Sequence, residues 1–568
     1  MRISGSKILM ECLLEQEVDT VFGYPGGAIM PVYDALYTYS DRIQHILTAH
    51  EQGASHAADG YARSSGKVGV CMATSGPGAT NLVTGIATAY MDSSPVVFIT
   101  CNVNEHLIGK DSFQEVDITG IAMPITKNTY LVRDVNKLAD TLREAFALAR
   151  GGRPGPVLVD IMRNVTLAEA EYTPLPREKH PEEGRLKALI SRASHDLKAP
   201  EPNKDDVATL VEMIGEAQKP LVICGGGVVR GRADAEFKTF VERIDSPVAI
   251  SVMGGGGISG RNPLVTGMIG MHGTQASNQA VDRCDLLISV GCRFSDRVGL
   301  NFDSFAQNAK IVHIDIDRSE IDKNVQTDHH IIGDAKQVLT LLNQQLDQRD
   351  NSAWKEEVLS FPAETVYDDQ AGTLTPKEAL SSLAKILPDD TVVSTDVGQH
   401  QMWAIQHFRF DYPGQLITSG GFGTMGFGLG AAIGAKAAHP EKTVLHITGD
   451  GSFRMNSHEM STEEHYNLPV ITCIFNNGVL GMVRQWQELI FDGRYSQTDL
   501  DRGPDFVALA NSYGLPARRV STVAELEEAL REALELNTGY VIDCAIGQHE
   551  MARPMISAGD HITQFLVD

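Results

Sequence analysis

Residues His446 to Asn477 read HITGDGSFRMNSHEMSTEEHYNLPVITCIFNN, which is an apolar run, a Gly-Asp-Gly break, a polar segment and a second apolar run ending in two asparagines. Short apolar runs separated by a helical segment are typical of parallel strands joined by a crossover helix. Ligands bind at the carboxyl ends of such strands. The pattern therefore places Asp450 and Asn477 side by side at one edge of a sheet.

This pair of side chains has the chemistry of a magnesium site. Mg²⁺ takes oxygen ligands in near-octahedral geometry and shares them with phosphates, and the backbone oxygen of Val479 can complete the set. Gly449, Gly451 and Ser452 lie where a helix begins, and free amides at a helix N-terminus suit a diphosphate. The alternative is an ordinary strand-to-helix turn capped by Asp450. The spacing to Asn477 favours a diphosphate held through a metal.

Composition excludes several classes of partner. The 568 residues carry 48 Lys+Arg against 73 Asp+Glu, a formal net charge of −25 that repels nucleic acid and anionic membranes. The N-terminal stretch predicts an amphipathic helix rather than a signal or transit peptide, and no apolar run is long enough to span a membrane. The eight cysteines are scattered among apolar runs, which predicts reduced core thiols and a cytoplasmic protein.

The same sequence pattern occurs in three successive blocks of the chain. β-branched runs alternate with amphipathic helices, which predicts an α/β protein of three doubly wound parallel-sheet domains. Two stretches rich in Pro, Glu and Lys predict linkers. The expected organisation is a first domain at 1–165, a linker at 166–205, a central domain at 206–345, a linker at 346–374, and a third domain with the tail at 375–568.

Several motifs carry a family resemblance. GDG followed by NN resembles the cofactor motif of thiamine-diphosphate (ThDP) enzymes. The motifs FGYPGGAIMPVYDAL (22–36), HEQGASHAADGYAR (50–63), TSGPGATN (74–81), GCRFSDRV (291–298), SGGFGTMGFGLGAAIGA (419–435) and GMVRQWQ (481–487) extend it end to end. With them, the chain resembles the catalytic subunits of the acetohydroxyacid synthase family, also called acetolactate synthases.

The resemblance implies an activity and its partners. Pyruvate would be decarboxylated on ThDP, and the two-carbon unit transferred to a second pyruvate or to 2-ketobutyrate, for branched-chain amino-acid biosynthesis. It also implies Mg²⁺, a structural FAD in the central domain, and a homodimer or tetramer with active sites between subunits. A small regulatory subunit is compatible with it.

The resemblance also assigns the ThDP site. Glu51, at a predicted helix start, would bond the pyrimidine nitrogen and promote the imino tautomer that activates the cofactor. An acid at a helix N-terminus is otherwise common for dipole reasons. Met425 would keep the cofactor bent. The remaining matched positions are Gly27, Gln399, His400, Gly423, Gly449, Gly451, Ser452 and Met482, with Asp450, Asn477 and Val479 as the metal ligands.

Flavin and substrate positions follow from the same resemblance. The flavin set is Arg153, Gly225, Gly226, Gly227, Gly270, Met271, His272, Arg293, Asp315 and Asp334. For the substrate, Arg297 would hold a carboxylate and Trp486 would favour an acceptor with one more methylene. Gln114 would donate to the developing oxyanion, and Phe113 and Arg163 would line the pocket.

The chain departs from the family pattern at three places, and four rival functions stay open. Arg163 stands where relatives have a lysine, Asn128 stands where they have a histidine, and the run Gly254–Gly257 predicts a looser turn than the Leu and Phe usual there. The rival enzymes are a pyruvate oxidase, a flavin-free acetolactate synthase and a 2-keto acid decarboxylase. A rival of another class is a non-catalytic binding protein that has kept the cofactor scaffold.

Overall fold

The computed structural model describes residues 1–175, 199–362, 374–500 and 502–566. They form three six-stranded sheets, in each of which all neighbouring strands are parallel. Helices connect the strands. The predicted α/β class with three parallel sheets is confirmed.

The first sheet runs in the spatial order Gln44–Leu47, Thr20–Gly23, Gly69–Ala73, Val96–Asn102, Val157–Met162 and Asn128–Val132. Its central strands are fully buried, as expected for parallel strands covered by helices on both faces. The helices are Gly5–Glu15, Met30–Thr38, Glu51–Ser65, Pro77–Thr80, Val83–Met91, Ile118–Ala122, Val135–Arg150 and Arg163–Leu167.

The second sheet runs in the order Val265–Met268, Val248–Ile250, Pro220–Cys224, Leu286–Val290, Lys310–Asp315 and His329–Ile332. Its helices are Lys204–Glu216, Gly226–Arg230, Asp234–Arg243, Gln275–Arg283, Asp296–Gly299 and Ala335–Gln345.

The third sheet runs in the order Leu416–Thr418, Val392–Thr395, Val444–Gly449, Ile471–Asn476, Tyr540–Ala545 and Ala517–Val520. Its helices are Pro376–Ile386, Gln399–His407, Gly428–Ala438, Asp450–Asn456, Met460–His465, Gly481–Ile490, Phe506–Ser512 and Val523–Leu536. The helix predicted to begin at Gly-Asp-Gly starts at Asp450.

Each sheet has a topological switch point between two neighbouring strands whose connections leave in opposite directions across the sheet. These places lie between Thr20–Gly23 and Gly69–Ala73, between Pro220–Cys224 and Leu286–Val290, and between Val392–Thr395 and Val444–Gly449. The loops leaving the two strands diverge there and open a crevice for a ligand. Each sheet thus offers one crevice at its carboxyl edge.

The predicted linkers are partly folded. Residues 176–198 and 363–373 lie outside the described residues. Within the first linker, Glu169–Glu171 pairs antiparallel with Arg2–Ser4 and so closes onto the first unit. Within the second, the helix Ser352–Leu359 buries Trp354 in the apolar cluster of the central unit, and the Trp354 indole N–H donates to the Pro220 carbonyl at 2.9 Å.

The first and third units pack through two helices of small residues, which we call the Glu51 helix (Glu51–Ser65) and the Gly428 helix (Gly428–Ala438). A Cβ at Gly60 would overlap the carbonyl of Ala431, and one at Gly434 would overlap that of Ala57. Glycine at these positions lets the two backbones approach closely. Residues of both units form one apolar core.

All eight cysteines are buried free thiols, as predicted. Burial raises the pKa of several of these thiols, including Cys12 and Cys71. Among the described residues, none of the helices combines the length and the apolar character needed to cross a membrane.

A buried carboxyl in the third unit makes a prediction about pH. Glu463 is fully enclosed; its Oε1 accepts from the Val470 amide at 3.2 Å, and burial raises its pKa from an ordinary 4.5 to about 8. The folded state therefore holds a proton that the unfolded state releases above pH 4.5. Stability should fall as pH rises from there toward 8.

We expect Glu463→Gln to remove this fall and to stabilise the protein at alkaline pH by about 1 to 3 kcal/mol. Thermal unfolding midpoints between pH 5 and 9 measure the effect. The neighbouring Glu464, which is exposed, is the control: Glu464→Gln should leave the profile unchanged. A parallel pH profile for wild type and Glu463→Gln would contradict the assignment.

Candidate active site

A cavity of about 80 Å³ lies at the switch point of the third sheet. Four loops line it, which follow strands Val392–Thr395, Leu416–Thr418, Val444–Gly449 and Ile471–Asn476. We call it the Asp450 cavity. Its lining includes Gln399, His400, Met425, Gly449, Asp450, Gly451, Ser452, Asn477, Val479 and Met482.

Asp450 supplies an unused acceptor to this cavity. Its Oδ2 atom is buried and has no hydrogen-bond partner among the described residues. Burial raises the pKa of Asp450 to about 6, while the amides of Gly451 and Gly478 lower it. A buried carboxylate oxygen without a donor is costly unless a cation or another ligand completes it. This orphaned oxygen fits a hard cation such as Mg²⁺.

His400 and Gln399 are held differently. A Cβ at Gly449 would lie 2.8 Å from His400 Nδ1, so the imidazole rests on the backbone of Gly449. Burial lowers the pKa of His400 to about 4, so the ring is neutral near pH 7. The Gln399 side-chain nitrogen donates at 2.8 Å to both Gln485 Oε1 and the Glu550 carbonyl, which fixes the start of the helix Gln399–His407.

Asp396 joins the two strand ends that form the switch point. Its Oδ2 accepts from the Thr448 hydroxyl and its Oδ1 from the Gly428 amide, each at 2.6 Å. Burial acts to raise its pKa, but the hydrogen bond and charge of His446, together with the bonds from Thr448 and Gly428, outweigh burial and the pKa lies below its ordinary value. The buried carboxylate thereby fixes the Gly428 helix against both strands.

Glu51 lies at a second crevice, the switch point of the first sheet. It begins the Glu51 helix directly after the N-cap residue His50, whose Nδ1 accepts from the Gln52 amide at 3.0 Å. The Asn81 side chain donates to Glu51 Oε2 at 3.0 Å. A Cβ at Gly78 would lie 3.1 Å from Glu51 Oε1. The carboxyl group is thus oriented by Asn81 with one oxygen toward the glycine loop.

An ion network ties the two units at the loop that carries Gly423 and Met425. Arg63 contacts Asp59 at 2.6 Å and Asp92 at 3.1 Å, with side-chain exposures of 1% for Arg63 and 0% for both acids. Arg63 also donates to the Thr418 carbonyl at 2.7 Å. Asp92 Oδ1 accepts from the Gly421 amide at 2.7 Å. The first unit therefore holds both ends of segment 418–421 in place.

A larger cavity of about 420 Å³ lies at the switch point of the central sheet. We call it the central cavity. It is rich in guanidinium groups and also carries four carboxylates, namely Asp92, Asp315, Glu320 and Asp334. Gly420 and Met253 line it too, so the segment leading to Met425 forms part of its wall. The volume lies in the range of sites for small molecules and cofactors.

Comparisons with known proteins place the chain in one family. Three family models match: the N-terminal TPP binding domain of thiamine pyrophosphate enzymes at residues 3–121, their central domain at 207–342, and their C-terminal TPP binding domain at 396–544. A probable acetolactate synthase large subunit of Methanococcus aeolicus is 43% identical, with 99% of this chain and 95% of the relative covered. The acetolactate synthase isozyme 2 large subunit of Escherichia coli K12 is 42% identical, with 99% of each chain covered.

The chain belongs to the acetolactate synthase large-subunit family of thiamine pyrophosphate enzymes. The acetolactate synthase large subunit of Haemophilus influenzae gives the same result at 40% identity, covering 100% of this chain and 98% of the relative. Members of this family are ThDP-dependent enzymes, and this chain is one of them. The family resemblance carried by the motifs is confirmed.

The residues predicted to bind ThDP are divided between two places in the structure. The Asp450 cavity gathers ten of them, and Gly423 lies close by, since a Cβ there would be 3.9 Å from Val397 of the same cavity. Among the described residues that line the cavity, neither Gly27 nor Glu51 is found. Those two lie at the other crevice, where a Cβ on Gly27 would meet open space. A single chain thus holds the predicted ThDP residues in two separate places, at the Asp450 cavity and at the Glu51 crevice.

Six of the ten predicted flavin-binding residues line the central cavity, namely Arg153, Gly226, Gly227, Arg293, Asp315 and Asp334. The other four lie behind its wall. A Cβ on Gly225 would overlap the Gly291 carbonyl, and one on Gly270 the Arg297 carbonyl. The Met271 amide donates to that same Arg297 carbonyl at 2.9 Å. His272 Nδ1 lies 3.2 Å from the Pro554 carbonyl. These four residues shape the loops that flank the cavity.

The predicted substrate residues come from different units of the chain. Phe113 is 87% exposed, and Gln114 packs against Gly76 beside the Glu51 crevice. Arg163 begins the helix Arg163–Leu167, with a buried Nε that has no partner among the described residues. Arg297 lines the central cavity. Trp486 packs on an apolar cluster of the central unit and the C-terminal tail.

One predicted departure is corrected. The run Gly254–Gly257 forms a tight turn, not a loose one. A Cβ on Gly254 would overlap the Cys224 carbonyl, and one on Gly256, whose φ is +85°, would overlap the Tyr412 carbonyl. The glycines let the central unit pack closely against the third unit. Asn128 is exposed at the start of an edge strand.

Sequence reasoning missed Asn81, Asp92, Asp396 and Gln485, which hold the site from behind. Asn81 ends the quoted motif TSGPGATN, and Asp396 lies in the segment TVVSTDVGQH at a strand end, so position gave a signal for these two. Gln485 lies in the quoted motif GMVRQWQ and had the same kind of signal, whereas Asp92 follows the helix Val83–Met91 outside any quoted motif and had none.

Proposed function

We propose that this chain is the catalytic subunit of an acetolactate synthase. It decarboxylates pyruvate and transfers the resulting two-carbon unit to a second pyruvate, giving 2-acetolactate, or to 2-ketobutyrate, giving 2-aceto-2-hydroxybutyrate. These reactions serve branched-chain amino-acid biosynthesis in the cytoplasm. The observation that carries the proposal is the Asp450 cavity with its orphaned carboxylate oxygen, within a chain matched end to end by acetolactate synthase large subunits.

The Asp450 cavity would hold the diphosphate and its Mg²⁺. Asp450, Asn477 and the Val479 carbonyl offer oxygen ligands, and the first amides of the helix Gln399–His407 offer donors to the phosphates. When bound, ThDP supplies the nucleophilic carbon and the electron sink for decarboxylation. Met425 lines the same cavity and would set the conformation of the cofactor.

The second half-site would come from another copy of the chain. Glu51 holds or releases a proton at its Oε1, while Asn81 fixes its Oε2. Large apolar side chains beside both half-sites are exposed, among them Tyr24 at 40%, Phe113 at 87%, Phe422 at 49%, Met455 at 51% and Val483 at 50%. Exposed apolar surface of this kind marks an interface. A homodimer, or a tetramer built from dimers, would cover it and would bring Glu51 to the Asp450 cavity of its partner.

The central cavity would hold FAD as a structural group. Gly226 and Gly227 allow the backbone to approach a pyrophosphate, Arg153 and Arg293 offer positive charge, and the carboxylates Asp315 and Asp334 suit ribose hydroxyls. Arg153 is oriented by ion pairs to Asp317 at 2.9 Å and Glu320 at 2.7 Å. Together these residues fit a flavin dinucleotide. A small regulatory subunit would be an additional partner.

A product assay tests the proposal. Purified protein with ThDP, Mg²⁺ and FAD is given pyruvate alone and pyruvate with 2-ketobutyrate. Acetolactate and its homologue are expected. Acetaldehyde would point to a decarboxylase, peroxide with acetate would point to an oxidase, and absence of turnover with tight ThDP binding would point to a non-catalytic binding protein.

Acceptor choice provides a further prediction. We expect Trp486→Leu to shift products away from the 2-ketobutyrate adduct by about tenfold, because an indole face recognises the extra methylene with about 1 to 3 kcal/mol. Product ratios in mixtures of both acceptors measure this. Phe491→Leu, at the exposed end of the same helix, serves as the control. An unchanged ratio in Trp486→Leu would assign acceptor recognition to another residue.

A further inference from the structure

The loop before Glu51 is held by a carboxylate from the third unit. Glu459 Oε2 accepts from the Ala49 amide and Glu459 Oε1 from the His50 amide, each at 3.1 Å. The Thr462 hydroxyl donates to Oε2 at 2.6 Å. Glu459 is 0% exposed. One buried side chain thus binds the two backbone amides that directly precede Glu51.

The fit against the Glu51 helix is close. A Cβ on Gly53 would overlap the Glu459 carboxylate, so glycine in the first helical turn makes room for it. The Tyr466 hydroxyl accepts from the Leu47 amide at 2.9 Å, which fixes the same loop at its start. Segment 47–53 therefore has a specific docking site on residues 459–466.

We propose that Glu459 is a positioning residue for Glu51. Its carboxylate fixes the backbone at Ala49 and His50, and with it the direction in which the Glu51 side chain leaves the helix. The proposal rests on the proposed function, because it assumes that Glu51 acts on the cofactor. It adds a residue outside both half-sites whose removal misdirects Glu51 without emptying the Asp450 cavity.

A carboxylate is the group this geometry requires. Two separate amides point at its two oxygens, so both oxygens must accept. In Glu459→Gln one oxygen becomes an NH₂ group, which would face an amide N–H and could not accept from it. The replacement keeps the size of the side chain and loses one of the two bonds, leaving an unsatisfied buried amide.

The same segment also reaches the cofactor cavity. Glu459 follows the helix Asp450–Asn456, and the Asn456 side chain donates to the Gly426 carbonyl, next to Met425, at 2.7 Å. Residues 450–459 thus connect the Asp450 cavity of a chain to Glu51 of the same chain. Since Glu51 would serve the partner's cofactor, this segment links the two active sites of a dimer.

Hydrogen exchange and kinetics together test the proposal on the full-length protein. In the cofactor-free protein, Glu459→Gln should speed amide exchange in the peptide spanning 47–53 by about tenfold or more. In the loaded enzyme it should lower kcat by about 10²-fold through misplacement of Glu51, with ThDP affinity unchanged and the pyruvate KM nearly so. Exchange of the C2 proton of bound ThDP, followed by NMR, should slow in parallel.

Two control variants keep the outcomes distinct. Glu463→Gln alters a buried acid four residues on, whose carboxyl accepts from the Val470 amide, and it should leave exchange in segment 47–53 and kcat unchanged. Thr462→Val should keep both amide bonds and most activity. Unchanged exchange in Glu459→Gln, or faster exchange with normal kcat and C2 exchange, would overturn the proposal. Normal activity in Glu51→Gln would instead overturn the proposed role of Glu51, whatever Glu459 does.

Discussion

Glu51→Gln is expected to lower kcat by about 10²- to 10⁴-fold, the range for loss of a general acid or base. The amide cannot take up and release a proton, which is the role proposed for the carboxyl. Its remaining oxygen can still accept from Asn81, which now donates to Oε2 at 3.0 Å. Chemistry should therefore be lost while the side chain keeps its place. Steady-state turnover of pyruvate measures the effect.

The thermal unfolding midpoint and the ThDP affinity of Glu51→Gln should be close to the wild-type values, because the amide keeps the size of the side chain and its bond from Asn81, and because the diphosphate and metal would be held by the Asp450 cavity. Glu169→Gln, at an exposed surface ion pair, controls for loss of one acid. Near-normal turnover in Glu51→Gln would refute the catalytic role of Glu51.

Arg63→Ala should destabilise the protein by about 3 to 5 kcal/mol, because it leaves two carboxylates buried without their cation. Burial acts to raise the pKa of Asp59, but the charge and hydrogen bonds of Arg63, with smaller contributions from Ser94 and Arg230, together hold that pKa below its ordinary value. Arg63 also stacks over the Phe427 ring at 5.0 Å. Because Arg63 lies at the junction of the first and third units, we expect its removal to make both the Glu51 crevice and the Asp450 cavity less rigid.

Thermal and urea unfolding measure the effect of Arg63→Ala. Lys67→Ala is the matched control: Lys67 pairs with Asp19 at 2.7 Å in the same unit, but the pair is about half exposed, at 50% and 54%. Such a surface pair contributes less than about 1 kcal/mol. Equal effects of the two substitutions would show that burial of the Arg63 network does not matter.

Strand ends were predictable because they combine two local signals. An apolar run identifies the strand, and the first small or polar residues after it identify the carboxyl edge, so the sequence alone places Asp450 and Asn477 in one crevice. The same logic places Glu51 at the start of a helix after Gln44–Leu47. The rule that ligands bind at the carboxyl ends of parallel strands then predicts that these residues lie at binding crevices.

Contacts between units were not predictable, because no local pattern encodes them. Asp92 and Glu459 each reach across hundreds of residues to bind backbone amides, and a buried acid in a helix looks the same in sequence whether or not it does so. The run Gly254–Gly257 shows the converse error. Four glycines in a row suggest a loose turn, but the backbone carbonyls of Cys224 and Tyr412 lie so close to Gly254 and Gly256 that the turn is tightly packed.

The central claim is that each active site joins Asp450 of one chain to Glu51 of another. Mixing Glu51→Gln with Asp450→Ala protein, under conditions where tagged chains are shown to exchange, tests it directly. Each variant alone should be nearly inactive. The mixture should recover up to about a quarter of wild-type activity, since half of the dimers are mixed and each holds one intact site. Exchange without recovered activity would contradict the claim.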